Sequence, residues 1–192
     1  MSFKLTESYV ILEFLADVFP NSNLLPPVSD PTARARARFF MDASTRFAET
    51  PMFEIARAVP EALERLFEGL EKIQALLPDP DAADGGEFAT GKNFTIADCA
   101  IVPILTMIEL IARTDLGRFE PGTGKKLAEK LGSEKFMRLR RYQKAVWERE
   151  SVKKVIDFVS LVLLVGILDA NDRARSWQDR LEGAWRTRFA RN

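Results

Sequence analysis

Apolar residues recur at helical spacing along most of the chain, and no stretch alternates apolar and polar residues in the manner of a strand. Over 6–19, Val10, Phe14, Leu15 and Val18 fall one turn apart and predict a short amphipathic helix, started by Thr6 or Ser8 and stopped at Pro20. The segment 21–29, with Pro26 and Pro27, has no period and reads as a linker. Asp30-Pro31 is a helix start, because the carboxylate can accept first-turn amides and proline loses no bond there. A long helix follows in which Ala33, Ala37, Phe40, Ser44 and Phe47 share one face and Arg34 and Arg38 another; Pro51 is expected to break or kink it.

From Pro60, Leu63, Leu66, Leu70, Ile73 and Leu77 form the most regular stripe in the chain, ended by the proline- and glycine-rich loop 78–86. The segment from Phe94 to Ile111 is almost wholly apolar and predicts a central helix buried on every side. Residues 114–124 read as a break, and a basic helix from about Ser133 carries Phe136, Leu139, Tyr142 and Val146 along one side. Ser151 opens another helix, which runs into the apolar segment Phe158 to Leu168. That segment is about half the ~20 residues a membrane-spanning helix needs, so a buried helix and no membrane span is expected. At the C-terminus Trp177, Leu181, Trp185 and Phe189 stand at intervals of four in a stretch with six arginines against three acids. They form a basic amphipathic helix, whose stripe either docks on the core or is a candidate interaction face. The fold class expected is all-α, a helical bundle.

Composition removes several chemistries. The 192 residues contain no histidine and one cysteine, so a Ser-His triad, a histidine-ligated metal and an internal disulfide are excluded, and no metal is expected. The formal charge is zero, and alternate arginines such as Arg34 and Arg36 point about 200° apart on a helix, which argues against a nucleic-acid partner. Lys4 and Glu7 interrupt the apolar start, which argues against a secretory leader and for a cytoplasmic location.

Thr95-Ile96-Ala97-Asp98 forms a capping box: the threonine hydroxyl can accept the Asp98 amide while the Asp98 carboxylate returns to the Thr95 amide, and Phe94 and Cys99 flank it as a hydrophobic staple. This fully accounts for an acid in an apolar helix, and on capping alone Asp98→Ala should cost about 1–2 kcal/mol.

The string F-T-I-A-D-C-A-I-V-P at 94–103, after a loop containing Gly91, resembles the capping motif of the central helix in the helical domain of the glutathione transferase superfamily. F-K-L-T-E-S-Y-V-I-L-E-F-L-A-D-V-F-P at 3–20, followed by L-L-P and D-P-T-A-R-A-R, resembles the end of that family's thioredoxin-like domain, the linker, and the first long helix of the helical domain. The resemblance is closest to fungal and omega-like members and extends from Phe3 to about Lys154. It implies a remnant of the thioredoxin-like domain at 1–20, a linker at 21–29, a transferase-type helical domain at 30–170 and a basic C-terminal helix at 171–192.

The resemblance further implies that Glu7 and Ser8 hold the γ-glutamyl end of glutathione as co-substrate, with Ser8 at a helix N-terminus that favours an anion. The plainer reading is an N-cap serine beside a solvated acid. The family activates the glutathione thiol with a residue near the start of its thioredoxin-like domain, and the sequence begins only a few residues before Glu7. The expectation is therefore a chain shortened at its N-terminus, with no catalytic residue to nominate and weak or absent turnover. The other function weighed is a non-catalytic ligand-binding or protein-interaction module of the same superfamily. A small hydrophobic ligand is a further expected partner, and loss of the thioredoxin-like half should bare apolar surface and lead to homo-oligomers.

Overall fold

A computed structural model describes residues 4–56, 58–82, 85–115 and 119–156. The stripe Trp177, Leu181, Trp185 and Phe189 and the apolar run from Phe158 lie outside the described residues. The described residues are helical without a β-strand: α1 (Ser8–Val18), α2 (Pro31–Ser44), α3 (Thr50–Ala56), α4 (Ala62–Leu76), α5 (Ile96–Thr114), α6 (Thr123–Gly132), α7 (Met137–Glu148) and the short α8 (Glu150–Lys153).

Helix α5 is the axis of the bundle. Ile96, Ile101, Ile104, Leu105, Ile108 and Ile111 are buried against Phe40 and Met41 of α2, Leu66, Leu70 and Ile73 of α4, Leu127 of α6 and Leu139 and Val146 of α7. Its burial is incomplete, contrary to the expectation of a helix enclosed on every side: Pro103 is exposed and Glu109 half-exposed. Proline is accommodated there with its ring on the side of α5 that reaches water, at the cost of one backbone bond to the Cys99 carbonyl. The stripes of α4 and α7 face inward as their spacing predicts, with Leu66, Leu70, Ile73, Leu77, Phe136, Leu139, Tyr142 and Val146 all buried.

Three local features depart from the sequence expectations. Neither Thr6 nor Ser8 caps α1; Glu7 occupies that position in a left-handed conformation (φ 69°) and no side chain bonds the first amides. The helix also turns a different face inward. Ala16 is buried and Tyr9 and Leu12 pack partly on the core, while Val10, Phe14, Leu15 and Val18 lie 39–50% exposed. Polar anchors decide this orientation: Arg38 of α2 clamps Glu13 with two 3.0 Å bonds, and Arg34 of α2 bonds the Pro26 carbonyl at 3.0 Å and lies 3.6 Å from Asp17.

Pro51 neither breaks nor ends the second helix. One π-helical turn, Thr45–Glu49, precedes it and α3 continues through it. A proline at 51 cannot donate to the Phe47 carbonyl, and the wider turn accommodates the missing bond. Gly69 of α4 rests on that same carbonyl; a side chain there would overlap it.

Pro121, Gly122 and Gly124 read as part of a break, yet helix α6 starts among them, at Thr123. The Asp115 carboxylate substitutes for a capping residue, accepting the amides of Gly122 and Gly124 at 2.6 Å each. These two bonds hold the Asp115 carboxyl below the ordinary aspartate range. The basic helix α7 correspondingly starts at Met137, after a 3-10 turn at Glu134–Phe136, rather than at Ser133, and α8 starts at Glu150.

Candidate functional site

Two places carry the chemistry singled out by the sequence: the start of α1 and the buried start of α5. At α5 every first-turn amide finds a partner. Ile96 donates to the carbonyl of Leu24 in the linker at 2.8 Å, Ala97 to the Thr95 hydroxyl at 3.3 Å, and Asp98 and Cys99 to the Thr95 carbonyl at 3.1 and 3.2 Å. The Thr95 side chain also takes an amide of the third helical residue, and Asp98 Oδ2 accepts the Thr95 amide at 2.8 Å, closing the reciprocal box.

The other carboxylate oxygen does work that capping does not explain. Asp98 Oδ1 accepts the Ala89 amide at 2.8 Å and the Tyr142 hydroxyl at 3.0 Å, tying the 78–91 loop and α7 to α5. The loop is closed beside this point by the paired backbone bonds of Phe88 and Gly91, 3.0 and 3.1 Å. Burial pushes the Asp98 carboxyl above the ordinary aspartate range, and the surrounding donors pull it back part of the way. One sequence signal bears on the Tyr142 partnership: a tyrosine on an otherwise apolar face must find an acceptor for its hydroxyl. No sequence signal marked Ala89.

At α1, Glu7 and Ser8 are both exposed, and no side chain caps the amides of the first turn. The next residue, Tyr9, points the other way. Its hydroxyl accepts from Thr45 Oγ1 at 2.9 Å and donates to Glu49 Oε2 at 3.2 Å, both on the π-helical turn. The π turn thus fixes the start of α1 against α2.

Both tyrosines and the single cysteine are held in their protonated forms at neutral pH. Burial raises the Tyr9 hydroxyl above its ordinary value, and burial next to Asp98 raises Tyr142 well above it. The Cys99 thiol is pushed up to about 11 by burial, with Asp98 adding to the shift, which leaves it a thiol at neutral pH. Because both raised tyrosines gain in the protonated form, their contribution to stability is complete below about pH 10 and is lost as pH rises through their folded-state values. An alkaline titration followed by phenolate absorbance should show no ionisation step near the ordinary value, with both tyrosines released together on unfolding; a step in the folded chain would contradict the burial of at least one.

Residues 55–129 match the family model described as glutathione S-transferase, C-terminal domain. Among solved structures, glutathione transferase Omega 1C from Trametes versicolor superposes with a TM-score of 0.77 at 34% identity, over 88% of this chain and 68% of that one. The chain belongs to the glutathione transferase family. Glutathione transferase Omega 2S from the same fungus, solved in complex with 2,4-dihydroxybenzophenone, is 32% identical with a TM-score of 0.73, over 84% of this chain and 66% of that one. The stringent starvation protein A homolog of Coxiella burnetii is 32% identical over 149 residues, 78% of this chain and 62% of its own length. The chain therefore spans less than two thirds of that relative. Within the family frame, the bundle is the transferase helical domain. Among the described residues no group of acids or cysteine could hold a metal ion, and no helix is long and apolar enough to cross a membrane.

Proposed function

We propose that this glutathione transferase-type chain binds glutathione by its γ-glutamyl end at the start of α1, with Glu7 and Ser8 as the contact residues, and turns over electrophiles weakly or not at all. The observation that carries the reading is the exposed, uncapped first turn of α1 bearing Glu7 and Ser8 in a chain of this family. An anion there meets free amides and the positive end of the helix dipole. The bonds of Tyr9 to the π turn support a fixed placement of those amides. Weak turnover is supported by the commitments of Tyr9 and Tyr142 and by the raised Cys99 thiol, which leave neither tyrosine nor the cysteine to lower the pKa of the glutathione thiol.

The test is retention on immobilised glutathione followed by a conjugation assay with a generic aromatic electrophile. Retention that Ser8→Ala weakens by about threefold to tenfold, the scale of one lost charge-assisted contact at a helix terminus, with conjugation near background, is the expected result. Unaltered retention of Ser8→Ala, or family-level turnover, would contradict it.

A second reading, a non-catalytic interaction module, is favoured by the Coxiella burnetii relative, whose name is not that of a transferase. The exposed stripe Val10, Phe14, Leu15 and Val18 supports self-association in either case, and Trp177, Leu181, Trp185 and Phe189 are the contact face that this second reading would use.

A further inference from the structure

The chain is neutral as a whole, but its charge is unevenly spread. Residues 123–149 hold nine lysines and arginines against three acids, which leaves nineteen against twenty-five elsewhere. This basic segment is α6, the 3-10 turn and α7. Part of its charge is engaged: Lys125 with Glu129 at 3.9 Å, Lys135 with Glu71, Arg141 with Asp81 at 3.2 Å, and Arg149 over the Phe94 ring at 4.3 Å. Lys126, Lys130 and Arg140 are exposed, and none of them is paired with a carboxylate among the described residues.

Their placement makes one row. Lys126 and Lys130 stand one turn apart on α6, as Arg140 and Lys144 do on α7. Arg140 joins the two pairs, because its guanidinium donates to the carbonyl of Ser133 at 3.3 Å, and Ser133 is the residue that ends α6. The contact of Lys144 with Glu148, 3.7 Å between two exposed side chains, holds it weakly. Met137, 66% exposed, lies one turn before Arg140 and supplies an apolar spot beside the cations. Glu134, next to Ser133, is an exposed acid at the same place and opposes the surrounding charge.

We infer that this row docks an extended acidic segment of a partner protein, with carboxylates on Lys126, Lys130, Arg140 and Lys144 and an apolar residue among them on Met137. In an extended segment alternate side chains lie roughly 7 Å apart on one side, close to the one-turn spacing of the row. Methionine adapts its shape to varied apolar partners. A peptide is favoured over nucleic acid because the row offers no open ring for a base to stack on: Phe67, the ring beside it, is overlain by Lys130 at 5.8 Å. The excess of acids elsewhere in the chain also repels a long polyanion. A membrane surface is disfavoured because Met137 is a single apolar side chain amid charges. The surface shares no residue with the start of α1, so it stands or falls independently of the glutathione reading.

The experiment follows the fluorescence anisotropy of a fluorescein-labelled peptide, E-D-E-L-E-D-E, titrated with the full chain. Saturable binding is expected, weakened about tenfold as sodium chloride rises from about 50 to about 300 mM, and absent for the neutral analogue Q-N-Q-L-Q-N-Q. All the substituted positions are exposed, so each variant should keep the wild-type melting temperature. Arg140→Gln should weaken the peptide about tenfold and Lys130→Gln about threefold, as loss of a charge-assisted bond requires. Met137→Ser should weaken it about threefold, and Glu134→Gln, which removes the opposing acid, should tighten it about twofold. Arg36→Gln removes the same charge from α2, outside the row, and should leave affinity unchanged. The proposal is overturned if the peptide fails to bind at low salt, or if Arg36→Gln weakens it as much as Arg140→Gln, which would mean that only total charge matters. It is also overturned if Glu134→Gln leaves affinity unaltered, or if single-stranded DNA of about 20 nucleotides or phosphatidylserine vesicles displace the peptide at equal charge concentration.

Discussion

Asp98→Ala should lower the stability of the folded chain by about 3–5 kcal/mol, well beyond the 1–2 kcal/mol that loss of a helix cap costs. The difference lies in what the carboxylate holds. Its removal takes the acceptor from four buried donors at once, the amides of Thr95 and Ala89 and the hydroxyls of Thr95 and Tyr142. In a bundle of this size such a loss should appear as a fall in melting temperature of about 8–15 °C. Tyr142→Phe removes one member only and should cost about 1–2 kcal/mol, and the double mutant should be more stable than the sum of the two losses predicts. Additive losses would show that the two side chains act separately. The pH dependence carries a distinct sign. Because burial holds the Asp98 carboxyl above the ordinary aspartate range, the protonated form is favoured by folding. The contribution of this group is therefore complete below about pH 3.9, the unfolded-state value, and is lost as pH rises through its folded-state value. Asp98→Asn should remove that component of the stability–pH curve, and an unchanged curve would contradict the shift.

Gly69→Ala should destabilise the chain by about 3 kcal/mol, at the upper end of the cost of overpacking a core. The added methyl would be placed into the Phe47 carbonyl, a backbone atom of the π-helical turn that no side-chain rotation can clear. Gly132→Ala is the control. That glycine, the last residue of α6, has open space where the methyl would go, and the substitution should be neutral or slightly stabilising. Denaturant unfolding of the two variants decides the matter, and equal midpoints would mean that α4 does not pack on the π turn as closely as described.

Much of the bundle was legible because its helices bury one face at a time. The stripes of α4 and α7 and the Asp30 cap of α2, whose carboxylate takes the Ala33 amide at 2.9 Å, are local patterns with local consequences. What escaped the sequence is non-local. Asp115 caps α6 from the far end of a glycine-rich loop, and α1 turns its larger apolar residues outward because Glu13 and Asp17 are claimed by arginines of α2. The candidate site divides the same way. The Thr95–Asp98 box spans four residues and could be read directly, whereas the bonds of Asp98 to Ala89 and Tyr142, and of Tyr9 to Thr45 and Glu49, join distant segments. The π turn that sets up the Tyr9 contacts depends on a proline whose residue type suggested a break instead.

The central claim is that the start of α1 receives the γ-glutamyl end of glutathione. An amide-resolved nuclear magnetic resonance titration of the full chain with glutathione tests it at the residues concerned. The expected result is a saturable, progressive shift of the Glu7, Ser8 and Tyr9 amides, with those of Thr95 and Asp98 in the buried box unmoved, and loss of the response in Ser8→Ala. Unmoved amides at residues 7–9 under millimolar glutathione, or shifts confined to other parts of the bundle, would contradict the assignment.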